Sequence, residues 1–171
     1  MTPTTKLAYR VHASPLSAGD KVPPSHWFFE SVESKPGRKR IEDAFESARP
    51  DTKPSRSCCV FVFPVEADAR SWICQKRSHY LYQVSVPDGG VLHEADWMWL
   101  NKSLGDSELA AAAKSYWDGA ISGTLVREWM VSEATVVLEI VVPQSEREEW
   151  RKCRYGLPTT ADYARRDVEN G

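Results

Sequence analysis

Pro54-Ser55-Arg56-Ser57-Cys58-Cys59-Val60-Phe61-Val62-Phe63-Pro64-Val65-Glu66-Ala67-Asp68-Ala69 is a loop, an apolar run and a helix start in succession. Residues 58–63 are apolar and bounded by Pro64, short enough for one buried strand. Residues 66–75 then read as a helix with Ala69, Trp72 and Ile73 turned inward, and 50–57 as a polar loop. Upstream, 38–48 reads as a helix with the stripe Ile41, Ala44, Phe45 and Ala48, stopped by Pro50. Residues 13–37 are rich in Pro, Ser and Gly and read as a loop, with a short turn near His26-Trp27-Phe28-Phe29. Residues 7–12 alternate as a first strand, so Arg10 and His12 share the face opposite Leu7, Tyr9 and Val11.

Downstream, 79–86 reads as a strand ended by the turn Pro87-Asp88-Gly89-Gly90. An apolar-rich stretch covers 91–100, where Trp97 and Trp99 alternate about Met98 as at a strand end. The stretch 106–121 predicts a helix capped by Asp106 or Ser107, lined by Leu109, Ala112, Ala113, Tyr116 and Trp117. Strands follow at 127–131 and 134–142, the second strongly β-branched and expected to be central. A charged helix spans about 144–152. Strands outnumber helices, and the helices come singly between strands, which predicts α+β rather than a doubly wound sheet. Residues 1–155 are expected to form one domain and 156–171 a loosely held C-terminal tail.

A hydrophobic share of 42% with seven Trp supports a real core in 171 residues. A net charge of −2 gives no generic attraction to nucleic acid. No apolar run approaches the roughly 20 residues of a membrane helix, and the first residues lack the apolar core of a secretory signal. Cys58, Cys59, Cys74 and Cys153 lack paired ligand spacing. Cys58 and Cys59 are expected on opposite faces of a strand, and all four as reduced, mostly buried thiols of a cytoplasmic protein, with no metal site. Neither a Gly-x-Ser-x-Gly nucleophile turn nor a Gly-rich phosphate loop is present.

An early Arg on a strand, a middle strand with polar flanks and a late Glu on a strand occur in that order: Tyr9-Arg10, Pro54-Ser55-Arg56 before Val60-Phe61-Val62-Phe63, and Arg127-Glu128-Trp129-Met130-Val131. This order resembles the Arg-Ser-Glu branch of the mono-ADP-ribosyltransferase fold, that of cholera- and pertussis-type toxins. Tyr80-Leu81-Tyr82-Gln83-Val84 and Val136-Val137-Leu138-Glu139-Ile140 resemble its following and last strands, so the match of pattern covers about residues 7–142. A bacterial or phage family of uncharacterised domains is the expected home. The resemblance implies an α+β split of two small antiparallel or mixed β-sheets, with flanking helices around an NAD cleft. It implies NAD as co-substrate, and a macromolecular acceptor that is protein rather than nucleic acid. It also implies a toxin, effector or phage-encoded modifier acting in the cytoplasm of the producing cell or of a target host cell.

Residue by residue, the resemblance implies that Arg10 holds NAD and Glu128 is the catalytic acid. The chemistry suits those types: a carboxylate stabilises an oxocarbenium-like transition state and holds a ribose hydroxyl, Arg clamps a diphosphate, and aromatic walls take nicotinamide. The NAD-binding set is Arg10, His12, Ser55, Arg56, Phe61 and Asp96. The chain departs from the family where Phe61-Val62-Phe63 replaces a Ser-Thr-Ser, with Ser55 or Ser57 left for the serine role. Val126 stands where arginine-modifying members carry a second Glu. Asp96 and Glu94 are alternative carboxylates, by analogy with the antibiotic-modifying branch, in which a His stands at the place of Arg10. Water as acceptor gives an NAD glycohydrolase, and loss of catalysis gives a binding or inhibitor module.

Each residue also has a plainer reading. Arg10 suits a surface ion pair, Glu128 an exposed edge strand, Ser55 and Arg56 a loop turn, His12 a structural histidine, and Tyr116 and Trp117 core packing. Arg38-Lys39-Arg40 suits a solvated helix start, with a phosphate or nucleic-acid patch as the alternative.

Overall fold

The computed structural model describes residues 4–25, 33, 35–76, 78–101, 105–123 and 126–155. In chain order these form β1 (Thr5–His12), α1 (Pro36–Ser47), β2 (Val60–Val62), α2 (Glu66–Cys74), β3 (Tyr80–Pro87), β4 (Val91–Asp96), α3 (Asp106–Trp117), β5 (Arg127–Val131), β6 (Thr135–Ile140) and α4 (Gln144–Tyr155). Short 3₁₀ turns cover Arg56–Cys58 and Trp97–Asn101. The architecture is α+β, as expected: two antiparallel three-stranded sheets, ordered β1-β3-β6 and β2-β5-β4. The turn expected near His26 and the tail from Gly156 lie outside the described residues. Among the described residues no helix is long and apolar enough to cross a membrane.

Local chemistry sets most boundaries. Pro36 sits in the first turn of α1, where its missing N–H costs nothing, so the helix begins two residues before the expected 38. Glu108 reaches back to accept the Gly105 N–H at 2.9 Å, which caps α3 in place of Asp106 or Ser107. Gly119, at φ +71°, ends α3 short of 121. Gly89, at φ +77°, turns β3 into β4, and the Gly90 N–H closes that turn on Pro87 O at 2.9 Å.

Three expectations need correction. β6 is an edge strand, because β3 holds the centre of its sheet. Val137 and Leu138 are accordingly exposed, and β-branched richness reports a preference for extended backbone rather than a central position. Residues 19–22 pair with only the first part of the outer edge of β6. Cys58 closes a 3₁₀ turn rather than lying on a strand; it is exposed, whereas Cys59 and Cys74 are buried. Trp97 and Trp99 also lie in a 3₁₀ turn, not at a strand end.

The core has three parts. Ala8, Val60, Val62, Tyr82, Val84 and Val131 pack the two sheets together. Phe45, Leu109, Ala113, Tyr116 and Met130 pack α1 and α3 against β5. Val11, Phe63, Ala69, Ile73 and Leu81 seat α2 on β1 and β3. β2 belongs to both sheets in turn. It pairs with β5 through Val62↔Trp129, and the next residue, Phe63, exchanges both backbone bonds with Tyr9 of β1 at 2.7 and 2.8 Å. Beyond that bridge β1 and β2 separate, and the site lies in the gap.

Candidate functional site: a cationic cavity at the sheet junction

On β1, Ala8, Arg10 and His12 share one face; on the other, Leu7 is 53% exposed while Val11 is buried with Ala69 and Ile73 of α2. Arg10 points toward the second sheet. Its Nη1 donates to Phe61 O at 2.7 Å, bonding a β2 carbonyl where the β1–β2 ladder has ended. Glu128 alternates with Trp129 on β5 and shares the Met130 face, toward α1 and α3. β5 is the central strand of its sheet and Glu128 is 5% exposed, so the exposed edge-strand reading falls.

Arg56 joins these two regions. The Ser55 hydroxyl accepts the Ser57 N–H and opens the 3₁₀ turn that carries Arg56 inward. The buried guanidinium donates through Nε to Glu42 Oε2 at 3.1 Å and meets Glu128 Oε1 at 3.3 Å through Nη1. Nη1 also donates to the Tyr116 hydroxyl, which donates in turn to Glu128 Oε1 at 2.9 Å. The guanidinium stacks on Phe61 at 4.5 Å and Tyr116 at 4.9 Å, measured to the ring centroids. Behind it, Glu42 Oε1 pairs with Arg38 Nη2 at 2.9 Å. Among the described residues, every hydrogen bond to Glu128 goes to Oε1, leaving Oε2 for a ligand.

Burial works against the Arg56 charge, but Tyr116, Glu128 and Glu42 more than offset it and hold the pKa above the ordinary arginine value. Burial pushes the Tyr116 phenol well above its ordinary value, so it remains a neutral donor to Glu128. Burial lowers Arg10 to about 10, with Glu128 opposing the shift, so Arg10 is still a cation at neutral pH.

These groups line a cavity of about 370 Å³, within the roughly 300–1,000 Å³ of ordinary small-molecule sites. Phe61, Phe63, Trp72 and Trp97 give it aromatic walls. Among the described residues its lining carries five Lys and Arg residues (Arg10, Lys35, Arg38, Arg56, Lys76) against the one carboxylate of Glu128. Glu42, behind the lining, pairs with both Arg38 and Arg56, and the cationic excess that remains suits an anionic ligand, as the aromatic walls suit flat rings.

Of the expected site residues, Arg10, Arg56, Phe61 and Glu128 come together here, and the other three do not line the cavity. His12 sits beside Arg10 on the same face, but its Nδ1 is engaged with Ser14 at 3.0 Å to O and 3.2 Å to N. Burial lowers its pKa, Ser14 raises it, and Arg10 lowers it further. The Ser55 hydroxyl bonds Glu46 at 3.2 Å and Ser57 at 2.9 Å. Asp96 is buried and accepts the backbone N–H groups of Met98, Ser122 and Val126 at 3.0, 2.7 and 3.2 Å, a structural duty. The alternative acid Glu94 is exposed and accepts the Trp129 indole N–H at 2.5 Å.

Sequence reasoning missed Glu42, Lys76, Trp72 and Ser25, and gave Arg38 a phosphate patch only as the alternative to a solvated helix start. An acid in helical register with Arg38 and Phe45 was the one readable sign of Glu42, which the structure buries. Arg38 lines the cavity, whereas Lys39 is half-buried and Arg40 exposed, as a solvated helix start requires. Tyr116 is fully buried core, as expected, and its hydroxyl also serves Glu128.

Among the described residues, fold and site thus define an α+β protein with a cation-rich, aromatic-walled cavity around one buried carboxylate. The chain belongs to the family described as a protein of unknown function (DUF2441), which residues 25–143 match. No curated protein matches it.

Proposed function

We propose that this chain is an NAD-dependent mono-ADP-ribosyltransferase, acting in the cytoplasm of the producing cell or of a target cell on a macromolecular acceptor. One juxtaposition supports the reading. Glu128 stands with one open oxygen in a cavity whose other charged groups, among the described residues, are cations and whose walls are aromatic. Breaking the bond between nicotinamide and ribose develops positive charge on the ribose, which Glu128 Oε2 would stabilise while holding a ribose hydroxyl. Arg56 and Tyr116 would fix the carboxylate through Oε1, and Arg10 would take a phosphate. Phe61, Trp72 and Trp97 would flank the flat rings.

The test is nicotinamide release from NAD by wild type, Glu128→Gln and Arg10→Met, with and without cell lysate. Glu128→Gln should lower release by about 10²–10³-fold, the scale of losing one group that stabilises transition-state charge. Full activity in a folded Glu128→Gln protein would remove the carboxylate from the reaction. Release without labelled macromolecule would make water the acceptor.

A second reading, a non-catalytic binding module on the same scaffold, is favoured by Phe61-Val62-Phe63 standing where the resembled branch carries its serine. NAD binding without turnover would support it.

A further inference from the structure

Three nitrogen-bearing side chains reach the cavity from separate elements: Arg10 from β1, Lys76 just past α2, and His79 just before β3. Two bring buried nitrogens that lack a partner among the described residues, Arg10 Nε and His79 Nδ1. Lys76 has no carboxylate within ion-pair distance among those residues; its Nζ stands 4.4 Å over the Trp72 ring. Trp72 in turn packs edge-on against Trp97 at 4.4 Å. The Lys76 backbone is fixed as well, its N–H donating to Ile73 O at 2.9 Å.

His79 is repelled by both Lys76 and Arg10. Burial and then Arg38 lower the Lys76 pKa. Burial, followed by the charges of Lys76, His12, Arg10 and Arg147, holds His79 below its ordinary value. Positive groups gathered around half-buried donors, with Glu128 the one described carboxylate in the lining and acting on Arg10, are stabilised when an anion enters. One phosphate oxygen would satisfy Arg10 Nε, and two linked phosphates present enough acceptors for all three side chains.

We propose that Arg10, Lys76 and His79 form a diphosphate-binding subsite of this cavity. The subsite rests on the NAD reading for the identity of its natural ligand, while its diphosphate chemistry can be measured separately. Inorganic pyrophosphate and NAD are each titrated calorimetrically into the full chain, as wild type, Lys76→Gln and His79→Gln. Both substituted positions are partly exposed, and circular dichroism verifies the fold.

Wild type should bind pyrophosphate at one saturable site, in competition with NAD. Each substitution should weaken it about tenfold or more, the scale of losing one charge-assisted contact. Pyrophosphate binding that needs Lys76 and His79, with no NAD binding, would uphold the subsite and defeat the NAD reading. NAD binding unchanged in both variants, with no saturable pyrophosphate binding, would overturn the subsite and leave the NAD reading standing. Equal pyrophosphate affinity in wild type and both variants would also overturn it.

Discussion

Removing the Glu42 carboxylate tests the organisation of the site without presuming any activity. Glu42 and Arg56 are 5% and 4% exposed in their side chains and meet at 3.1 Å, and Glu42 also holds Arg38 at 2.9 Å. Taking one partner from a buried ion pair costs about 3–5 kcal/mol, because the remaining charge stays desolvated. In Glu42→Gln, Arg56 keeps Glu128 at 3.3 Å and the Phe61 and Tyr116 rings, so the lower end applies, about 3 kcal/mol. For a chain of this size that is a drop in Tm of about 6–12 °C. Asp43→Asn, one position along on the same helix, is the control. Its ion pair with Lys39 is exposed, and the change should stay within about 0.5 kcal/mol. Urea denaturation measures both. Glu42 and Glu128 share Arg56, so Glu42→Gln and Glu128→Gln together should cost more than the sum of the two. A Glu42→Gln midpoint indistinguishable from that of Asp43→Asn would mean that Arg56 is not held by Glu42, and the account of the site would fail with it.

Other consequences are simpler to read. His12, His79 and His93 all have pKa values lowered first by burial, so the unfolded chain binds more protons than the native one as pH falls through about 6.5. Stability is then complete above that pH and declines between about pH 7 and 5; His93→Gln should flatten the decline in urea midpoint, and an unchanged slope would count against a buried neutral His93. Burial pushes the Cys59 thiol up to about 11 and raises Cys74 as well, whereas Cys58 is exposed. A thiol reagent followed by peptide mapping should therefore label Cys58 in the native protein while sparing Cys59 and Cys74. Leu138, 46% exposed on β6, should tolerate Leu138→Lys within about 0.5 kcal/mol by the same urea assay, and a large loss would return that strand to the interior.

Much of the fold was legible because it is written in short-range pattern. The stripe Ile41, Ala44, Phe45 and Ala48 and the run Leu109, Ala112, Ala113, Tyr116 and Trp117 each pack where helical spacing puts them. Alternation in β1 put Arg10 and His12 on one face, although it did not say which face meets the second sheet. That choice depends on what covers the strand, and the cover is β2, some 50 residues away. Centrality escaped the sequence for a related reason. The β-branched run of β6 and the mixed run of β5 both make good strands, but pairing order follows from the whole topology, and it made β5 central.

The site divides along the same line. Arg10, Arg56, Phe61 and Glu128 could be nominated because each is a chemically suited residue on or next to a strand. Glu42 and Lys76 could not, because a helical acid and a lysine past a helix end are ordinary on any surface. What changes their meaning is the junction at Phe63, where β2 leaves β5 and bridges to β1. That single exchange opens the gap that Arg10 spans and leaves Glu128 one position beyond the last β2–β5 pair. Arg56 is drawn between two acids that lie 14 residues before it and 72 after it. A buried charge network of this kind is assembled almost entirely from long-range contacts, each unremarkable in sequence, and its cost in desolvation is tolerable only when all members are present. Glu42, Arg56, Tyr116 and Glu128 therefore act as one unit. Substitution at any of them perturbs both the stability of the sheet junction and the aim of the one open carboxylate oxygen.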